Sequence, residues 1–371
     1  MSNTLLISAG EVSGDKHGAE VISILRKADD SLKFFGIGGD ILDQKGVELI
    51  EHSNKLAFMG LSEVVRNYPF IRSVMRKVLA KVDVYKPIAA LLVDYPGFNL
   101  QLAKELKKRN IKVYYFISPK FWAWNYRRII KLRSRVDHML SIFPFEAEIL
   151  KQNKIHTTYV GNPLIEQINC KKELDKIALP WRSGKKIAIL PGSRKQEIDY
   201  ILPILIEASE KLSNNLECSF IIAVPNNYIA QIIREMDIPK SIKIVLGNTL
   251  AVLKQADAAW IASGTATLEA AILNTPHVLV YKTSTLTNFF ARIVIKLPYV
   301  GLVNILSAHH ICPELLQKNA NAENLVDEIS LIINKHQYRQ TMLDGFANVR
   351  HILGSKICSD EVAKEVLKSY N

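Results

Sequence analysis

The feature that most constrains the fold is a repeated alternation of short apolar runs with longer amphipathic segments. Runs such as "IAALLVDYP" and "KIAILPG" are almost wholly apolar, whereas segments such as "QLAKELKKRN" have charged residues on one face. Strands that are apolar throughout are typical of parallel sheets covered by helices on both faces. We therefore predict an α/β chain of doubly wound, Rossmann-like sheets. The predicted strands are TLLISAG, KFFGIGG, IAALLVDYP, KVYYFIS, HMLSIF, KIAILPG, CSFIIAVP, IKIVLGN, AAWIASG and HVLVYKT.

The length of 371 residues exceeds the usual size of a single core, so we expect two domains. A charged stretch interrupted by Pro and Gly, 168–185, separates two halves that open alike, with "ISAGEVSGD" and "ILPGSRKQE". We predict domains over 1–172 and 183–349 that face each other across a cleft, where ligands bind in such folds. A last amphipathic helix, in a tail of about 350–371, is expected to pack back on the first domain.

The composition is that of a globular protein, with 48% hydrophobic and 23% charged residues. The four cysteines are far apart, which favours a reducing compartment over a disulfide framework or a zinc site. The opening "MSNTLLISAGEVSGD" has no basic leader, and we interpret it as a first strand. No run approaches the roughly 18 apolar residues of a membrane-spanning helix.

An excess of 48 Lys and Arg over 36 Asp and Glu gives a net charge of +12. This charge suits nucleic acid, an anionic membrane face or phosphorylated substrates. The segment 55–82 mixes apolar and basic residues, as 288–297 does, which favours contact with a membrane or an acyl chain over ordinary helix packing. We expect no nucleic acid, because no aromatic-basic RNA-recognition motif is present. The apolar candidates for membrane contact are Val64, Val65, Phe70, Ile71, Val74 and Met75.

Two small-residue turns follow strands in the second half. In the first, Gly192, Ser193 and Arg194 stand where a strand turns into a helix, an arrangement that suits an anion. In the second, Gly264 and Thr265 precede a helix, and Glu269 lies one turn inside it, suited to a sugar's vicinal hydroxyls. Each turn alone has an ordinary alternative, a strand–helix connection with solvated charges; together they predict a nucleotide-diphosphate site.

The motifs that would indicate other cofactors are absent from the sequence. It has no GxGxxG fingerprint, no GxxxxGK[ST] loop and no Asp-x-Asp pair. We therefore expect no cofactor and no metal.

In the first half, Asp94 ends a fully apolar strand before Pro96 and Gly97. A partly desolvated carboxylate there suits a general base, although an Asx-type turn would explain it too. Trp122 and Trp124, in "SPKFWAW", are either core aromatics or a stacking surface for substrate. The first turn, "GEVSGDKHG", contains five candidates for substrate contact: Glu11, Ser13, Gly14, Asp15 and His17. For the histidine, a structural role is the alternative.

Six motifs, "GEVSGD", "DYPGFN", "SPKFWAW", "PGSRKQEI", "ASGTATLEAA" and "CPELLQ", occur in the order found in lipid-A-disaccharide synthases, and the chain resembles that family from residue 7 to about 317. The resemblance implies a two-domain GT-B glycosyltransferase that inverts the anomeric centre. Its members join UDP-2,3-diacylglucosamine to 2,3-diacylglucosamine 1-phosphate (lipid X), forming lipid A disaccharide 1-phosphate and UDP. They act as peripheral proteins at the cytoplasmic face of the inner membrane.

The resemblance also implies roles for four residues. Asp94 matches an essential aspartate, Arg194 a diphosphate contact, Glu269 a residue near ribose or uracil, and Asn304 a residue near the nucleotide. The chain departs from the family where Val303 replaces a usual proline and where "GIGGDIL" lacks one.

Three alternatives stay open on the sequence. A UDP-sugar epimerase would act on the nucleotide sugar alone, and a peptidoglycan-type transferase would take a lipid-linked muropeptide. A basic protein that binds RNA or membrane would need neither of the two small-residue turns in the second half. Whether the chain forms a homodimer is not indicated by the sequence.

Overall fold

The chain folds as two compact units, each built on its own parallel sheet. Unit 1 comprises Met1–Glu166 and Ser355–Asn371, and unit 2 comprises Gln167–Gly354. The structure is a computed structural model that describes residues 3–56, 66–124, 128–171, 173–283 and 298–368.

Unit 1 contains a seven-stranded parallel sheet with the order β3-β2-β1-β4-β5-β6-β7. This is the doubly wound order, in which the chain moves outward from β1 in one direction and then from β4 in the other. The strands are β1 (Thr4–Ala9), β2 (Lys33–Gly38), β3 (Glu48–His52), β4 (Ala89–Val93), β5 (Lys112–Phe116), β6 (His138–Ser141) and β7 (Thr157–Tyr159).

Helices cover both faces of this sheet. Successive side chains of each strand point to opposite faces, so each face has its own set of apolar residues to bury. Leu6 and Leu92 belong to one apolar cluster and Ile7 and Leu91 to the other, all fully buried. The helices are α1 (Val12–Ala28), α2 (Asp40–Gln44), α3 (Tyr68–Tyr85), α4 (Pro96–Lys107), α5 (Phe121–Trp124), α6 (Arg128–Arg135), α7 (Pro144–Gln152) and α8 (Pro163–Cys170), which runs across the division between the units.

Unit 2 repeats the plan with a six-stranded parallel sheet of order β10-β9-β8-β11-β12-β13. Here β8 and β11 are the central neighbours from which the chain winds in both directions. The strands are β8 (Lys185–Leu190), β9 (Cys218–Val224), β10 (Ile242–Leu246), β11 (Ala258–Ala262), β12 (His277–Tyr281) and β13 (Glu314–Leu316).

The remaining helices follow these strands, and the last of them returns to unit 1. They are α9 (Lys195–Ser213), α10 (Asn227–Arg234), α11 (Thr249–Gln255), α12 (Thr265–Ile272), α13 (Leu302–Ser307), α14 (Ala322–Asn334), α15 (His336–Leu353) and α16 (Cys358–Leu367). Helix α16 packs on α1 through Cys358, Val362 and Val366, as predicted for the C-terminal helix.

The α/β architecture of two doubly wound parallel sheets is therefore confirmed, and every strand predicted from an apolar run is present. The three strands that the sequence does not predict, β3, β7 and β13, all lie at sheet edges. Edge strands are short and partly solvated, so they lack the continuous apolar run by which the others are recognised.

Helix α3 corrects part of the expected membrane surface. Val74 is fully buried in the core of unit 1, and Phe70, Ile71 and Met75 pack partly buried against that core. The side chain of Val74 therefore stabilises the fold and is not available to an acyl chain. Val64, Val65 and the stretch 288–297 lie outside the described residues. Across the described ranges, no helix is long and apolar enough to span a bilayer.

Candidate active site

The candidate residues lie at the switch points of the two sheets. In a doubly wound sheet, ligands bind beyond the carboxyl ends of the two central strands, where the chain winds away in opposite directions. In unit 1 these strands are β1 and β4, followed by Glu11 and Asp94. In unit 2 they are β8 and β11, followed by Arg194 and Gly264. Each unit therefore presents its predicted motifs at its own switch point.

Asp94 stands on a strained turn. Both Asp94 and Tyr95 have left-handed backbone conformations, with φ of 46° and 48°. Such conformations are uncommon outside glycine and cost about 1–3 kcal/mol each, so the surrounding structure must hold them. The ring of Tyr95 lies directly against Gly10, where any Cβ would come within 2.2 Å of a ring carbon. Gly10 therefore lets the loops after β1 and β4 approach each other.

Asn99 is the residue that holds this turn in place. Its fully buried amide donates to the carbonyls of Asp94 (2.8 Å), Val93 (3.2 Å) and Ser8 (3.1 Å). Its Oδ1 accepts a 2.7 Å hydrogen bond from the Ser8 hydroxyl. The Tyr115 hydroxyl donates a second bond to the Asp94 carbonyl, at 2.7 Å. Together, Asn99 and Tyr115 fix the backbone from which the Asp94 carboxylate projects.

The electrostatic environment of Asp94 suits proton transfer near neutral pH. Burial, together with the negative charge of Glu11, raises the pKa of the Asp94 carboxyl from 3.8 to about 6. The backbone amide of Tyr95 and the charges of Lys120 and His17 act in the opposite direction. A carboxylate with such a pKa is ionised at pH 7 and is still basic enough to accept a proton.

The first turn divides into residues that face outward and residues that hold the fold. Glu11 and Ser13 are exposed, whereas Gly14 is buried, and a Cβ there would lie 3.5 Å from a side-chain carbon of Val93 in β4. The carboxylate of Asp15 is buried and accepts three backbone N–H groups at the start of α2, with the shortest at 2.6 Å from Gly39. Asp15 is therefore engaged in capping α2, and its expected contact with substrate stays a prediction.

His17 lies on α1 beside the same switch point. Its ring meets Phe116 edge-on at 6.4 Å between centroids, and its Nδ1 is 3.6 Å from a carboxylate oxygen of Glu20. Because its charge also acts on Asp94, His17 is close to the candidate base, although it is packed as a structural histidine would be.

A second buried carboxylate, which sequence reasoning missed, lies where β5 and β6 end. Glu146, only 1% exposed, accepts hydrogen bonds from Ser118 Oγ (2.5 Å), Trp122 Nε1 (2.6 Å) and Ser141 Oγ (3.2 Å). Burial raises the pKa of Glu146 to about 7, against these hydrogen bonds and the charge of Lys120. Trp122 is thus a hydrogen-bonded structural residue; the side chain of Trp124 lies outside the described part of the chain.

In unit 2, the turn after β8 forms an anion-binding corner that an internal carboxylate occupies. Glu197 accepts 2.9 Å hydrogen bonds from the backbone N–H of Ser193 and from Nη1 of Arg194. Gly192 has φ of 117°, and a Cβ there would meet the Glu197 carboxylate at 2.5 Å. The Arg194 side chain is 68% exposed. The Ser193 N–H and Arg194 thus both donate to a carboxylate of the same turn, and their contact with a diphosphate stays a prediction.

The turn after β11 presents the start of α12. Gly264 and Thr265 are exposed there, and the Thr267 hydroxyl closes the first turn by donating to the Gly264 carbonyl at 2.8 Å. Burial raises the pKa of Glu269, with the charge of Lys171 opposing it. Within the described ranges the Glu269 carboxylate makes no hydrogen bond, so its oxygens are available to hydroxyl donors.

Asn304 is bonded within its own loop. Its amide is buried and makes four hydrogen bonds: Oδ1 accepts from the N–H groups of Ile311 and Cys312, and Nδ2 donates to the Cys312 carbonyl and to Glu314. Glu314 also accepts the N–H groups of Val300 and Gly301 at the start of α13. These bonds use the side-chain amide of Asn304 to shape the loop around α13, and its place near the nucleotide stays a prediction.

Comparison with known proteins identifies relatives over almost the whole chain. The family model described as Lipid-A-disaccharide synthetase matches residues 5–366. Lipid-A-disaccharide synthase of Syntrophus aciditrophicus (strain SB) is 35% identical over 361 residues, which cover 95% of this chain and 94% of that protein.

Two solved structures share the fold. A putative UDP-N-acetylglucosamine 2-epimerase from Listeria monocytogenes has a TM-score of 0.68 at 11% identity, covering 100% of this chain and 97% of its own. The glycotransferase of kitacinnamycin has a TM-score of 0.66 at 11% identity, with coverages of 99% and 98%. At such identities the likeness shows the fold alone, which these two proteins share although one is named an epimerase and the other a glycotransferase.

Proposed function

The chain belongs to the lipid-A-disaccharide synthase family, and we propose that it is a hexosyltransferase that forms the lipid A disaccharide. The donor is UDP-2,3-diacylglucosamine, the acceptor is 2,3-diacylglucosamine 1-phosphate, and the products are lipid A disaccharide 1-phosphate and UDP. In this proposal unit 1 binds the acceptor and unit 2 binds the donor, since Asp94 belongs to the first and the anion-binding corner to the second.

The observation that supports this reaction best is the Asp94 carboxylate, fixed on a strained turn with a pKa of about 6. Transfer to a sugar hydroxyl requires a base for the proton of that hydroxyl. A carboxylate at the switch point of its sheet, on a backbone that Asn99 and Tyr115 hold through the Asp94 carbonyl, meets this requirement.

The proposed step is a single in-line displacement. The acceptor 6-hydroxyl oxygen attacks C1 of the donor sugar, the bond from C1 to the UDP oxygen breaks, and Asp94 takes the hydroxyl proton. The anomeric centre is inverted, because the new bond forms on the face opposite the leaving group. The negative charge that develops on UDP is stabilised by Arg194 and by N–H groups at the turns of Gly192 and Gly264.

The donor must displace Glu197 from the Arg194 guanidinium and the Ser193 N–H, since the carboxylate occupies both donors. The diphosphate offers more negative charge and more acceptor oxygens than one carboxylate does, so the exchange is favourable. Glu269, without a hydrogen bond among the described residues, is then available to the hydroxyls of the ribose.

We further propose that the protein acts as a peripheral protein at the cytoplasmic face of the inner membrane, because both substrates have acyl chains. The net charge of +12 favours an anionic lipid surface. On α3 the exposed residues include Tyr68, Arg72, Arg76 and Lys77, which suit the interface between headgroups and water. Size-exclusion chromatography with light scattering tests whether the protein forms a homodimer.

The pH dependence of turnover tests the assignment of the base. Below pH 6 the Asp94 carboxylate is protonated, so kcat/KM is expected to fall about tenfold per pH unit. Asp94→Asn is expected to lower kcat about 10²- to 10⁴-fold, with little change in the KM of either substrate. An Asn variant that keeps near-normal turnover would show that another group is the base.

A further inference from the structure

An exposed cation, Lys120, lies in the segment that follows β5. Lys120 follows β5 in the segment 117–120, and β5 is the neighbour of β4, with the Asp94 N–H donating to the Phe116 carbonyl at 2.8 Å. The charge of Lys120 acts on both the Asp94 and the Glu146 carboxylates. Among the residues described, the Lys120 ammonium makes no hydrogen bond and no ion pair. It is therefore available to an anionic ligand.

The segment that presents Lys120 is anchored on both sides. Ser118 precedes Lys120 and Trp122 follows it, and both donate to the buried carboxylate of Glu146, at 2.5 and 2.6 Å. Ser141, at the end of β6, donates to the same carboxylate at 3.2 Å. Three hydrogen bonds from separate positions in the chain therefore converge on one buried side chain. Glu146 thus fixes the loop after β5 to the end of β6, with Lys120 at its exposed tip.

The chemistry of the acceptor indicates what this cation is for. In a glucosamine 1-phosphate, C1 and C5 both flank the ring oxygen, so the phosphate on C1 and the hydroxymethyl group on C5 project from the same edge of the ring. A base that contacts the 6-hydroxyl therefore has the phosphate nearby. A lysine near that base is suited to bind the phosphate, for which its compact ammonium is a common ligand.

We propose that Lys120 binds the anomeric phosphate of the acceptor and that Glu146 is a positioning residue that holds the Lys120 segment in place. This inference rests on the proposed function, since it assumes an acceptor that is a sugar 1-phosphate. It adds the residue by which the enzyme distinguishes that acceptor from the same sugar without phosphate.

The test compares two acceptors, 2,3-diacylglucosamine 1-phosphate and 2,3-diacylglucosamine, with the same UDP-sugar donor. Lys120→Met is expected to lower kcat/KM for the phosphorylated acceptor about 10- to 100-fold, the usual worth of a hydrogen bond to a charged group. For the acceptor without phosphate, kcat/KM is expected to change less than about twofold. Lys27→Met is the matched control, because it removes an exposed lysine at the far end of α1.

The outcomes separate this inference from the proposed function. If wild type forms disaccharide and Lys120→Met loses the same factor with both acceptors, Lys120 does not bind the phosphate. If Lys120→Met instead raises the KM of the UDP-sugar, the lysine belongs to the donor, and the inference is equally overturned. Absence of disaccharide from wild type would contradict the proposed function itself.

The positioning role of Glu146 needs a readout that a loss of stability would not produce. Trp122→Phe removes one donor to Glu146 and keeps the ring, and Glu146→Gln removes the charge and keeps the size. Both are expected to lower kcat/KM selectively for the phosphorylated acceptor, by less than Lys120→Met does. In the background of Lys120→Met, neither change should have a further selective effect. Equal losses with both acceptors would assign Glu146 to fold stability alone.

Discussion

The carboxylate proposed as the base should destabilise the fold at neutral pH, and replacing it should stabilise the protein. In the unfolded chain an aspartate has its ordinary pKa of 3.8, whereas in the fold the pKa of Asp94 is about 6. The difference corresponds to about 3 kcal/mol. Between pH 3.8 and about pH 6, the folded protein retains a proton that the unfolded chain has released. The contribution of this group to stability therefore falls as pH rises from about 4 to about 6 and stays low above pH 6.

Asp94→Asn removes this titration, because an amide has no proton to lose in this range. Relative to wild type, the free energy of unfolding of the variant is expected to increase by about 2 kcal/mol between pH 4 and pH 8. Loss of activity with a gain in stability is expected where a strained or desolvated group serves catalysis.

The measurement is urea unfolding at pH 4, 6 and 8, followed by hydrogen exchange of peptides that cover β1 and β4, so that unit 1 is observed by itself. Asp43→Asn is the control, since Asp43 is an exposed carboxylate on the same unit. A difference between Asp94→Asn and wild type that does not change with pH would refute the claim that burial raises the pKa of Asp94.

The remaining predictions concern the groups around this site. Asn99→Ala should lower the free energy of unfolding by about 2–4 kcal/mol and kcat by about 10- to 100-fold, because it leaves the Asp94 turn unsupported. Unfolding followed by circular dichroism checks the first value, and turnover checks the second. Val74→Ser should destabilise unit 1 by about 2–3 kcal/mol, whereas Tyr68→Ser should weaken co-sedimentation with anionic vesicles and leave stability unchanged. Turnover of purified protein should persist in a chelator, because Arg194 and backbone N–H groups meet the charge of UDP; loss of turnover would refute that view.

The sheets could be predicted from the sequence because their central strands are apolar on both faces. A strand such as Ala89–Val93 is buried throughout, so its continuous apolar run predicts a strand directly. The edge strand Glu48–His52 has only two apolar residues, Leu49 and Ile50, and it forms because β2 offers it a partner. Long-range pairing of that kind is not encoded in a local pattern.

The site was predictable in part, because some of its residues are set by backbone geometry and others by tertiary contacts. Asp94 and the turn at Gly192 follow strand ends, where the position in the chain fixes the position in the fold. Asp15 and Asn304 were expected to contact ligand, yet distant backbone N–H groups use their side chains. Glu146 has no local motif at all, since its donors come from β6 and from the loop after β5.

Asn99 was the residue that sequence reasoning had most reason to find, since it ends the quoted motif "DYPGFN". Asn99 lies six residues after the end of β4, and its amide donates to the carbonyls of Val93 and Asp94.

Transfer of a sugar by this protein is tested by identifying the product. Purified wild-type protein is incubated with UDP-2,3-diacylglucosamine and 2,3-diacylglucosamine 1-phosphate, and the products are analysed by mass spectrometry beside those of Asp94→Asn and Arg194→Ala. We predict a disaccharide 1-phosphate and an equal amount of UDP from wild type, with both strongly reduced in the two variants. An epimerised nucleotide sugar, or release of UDP without disaccharide, would contradict the proposed reaction.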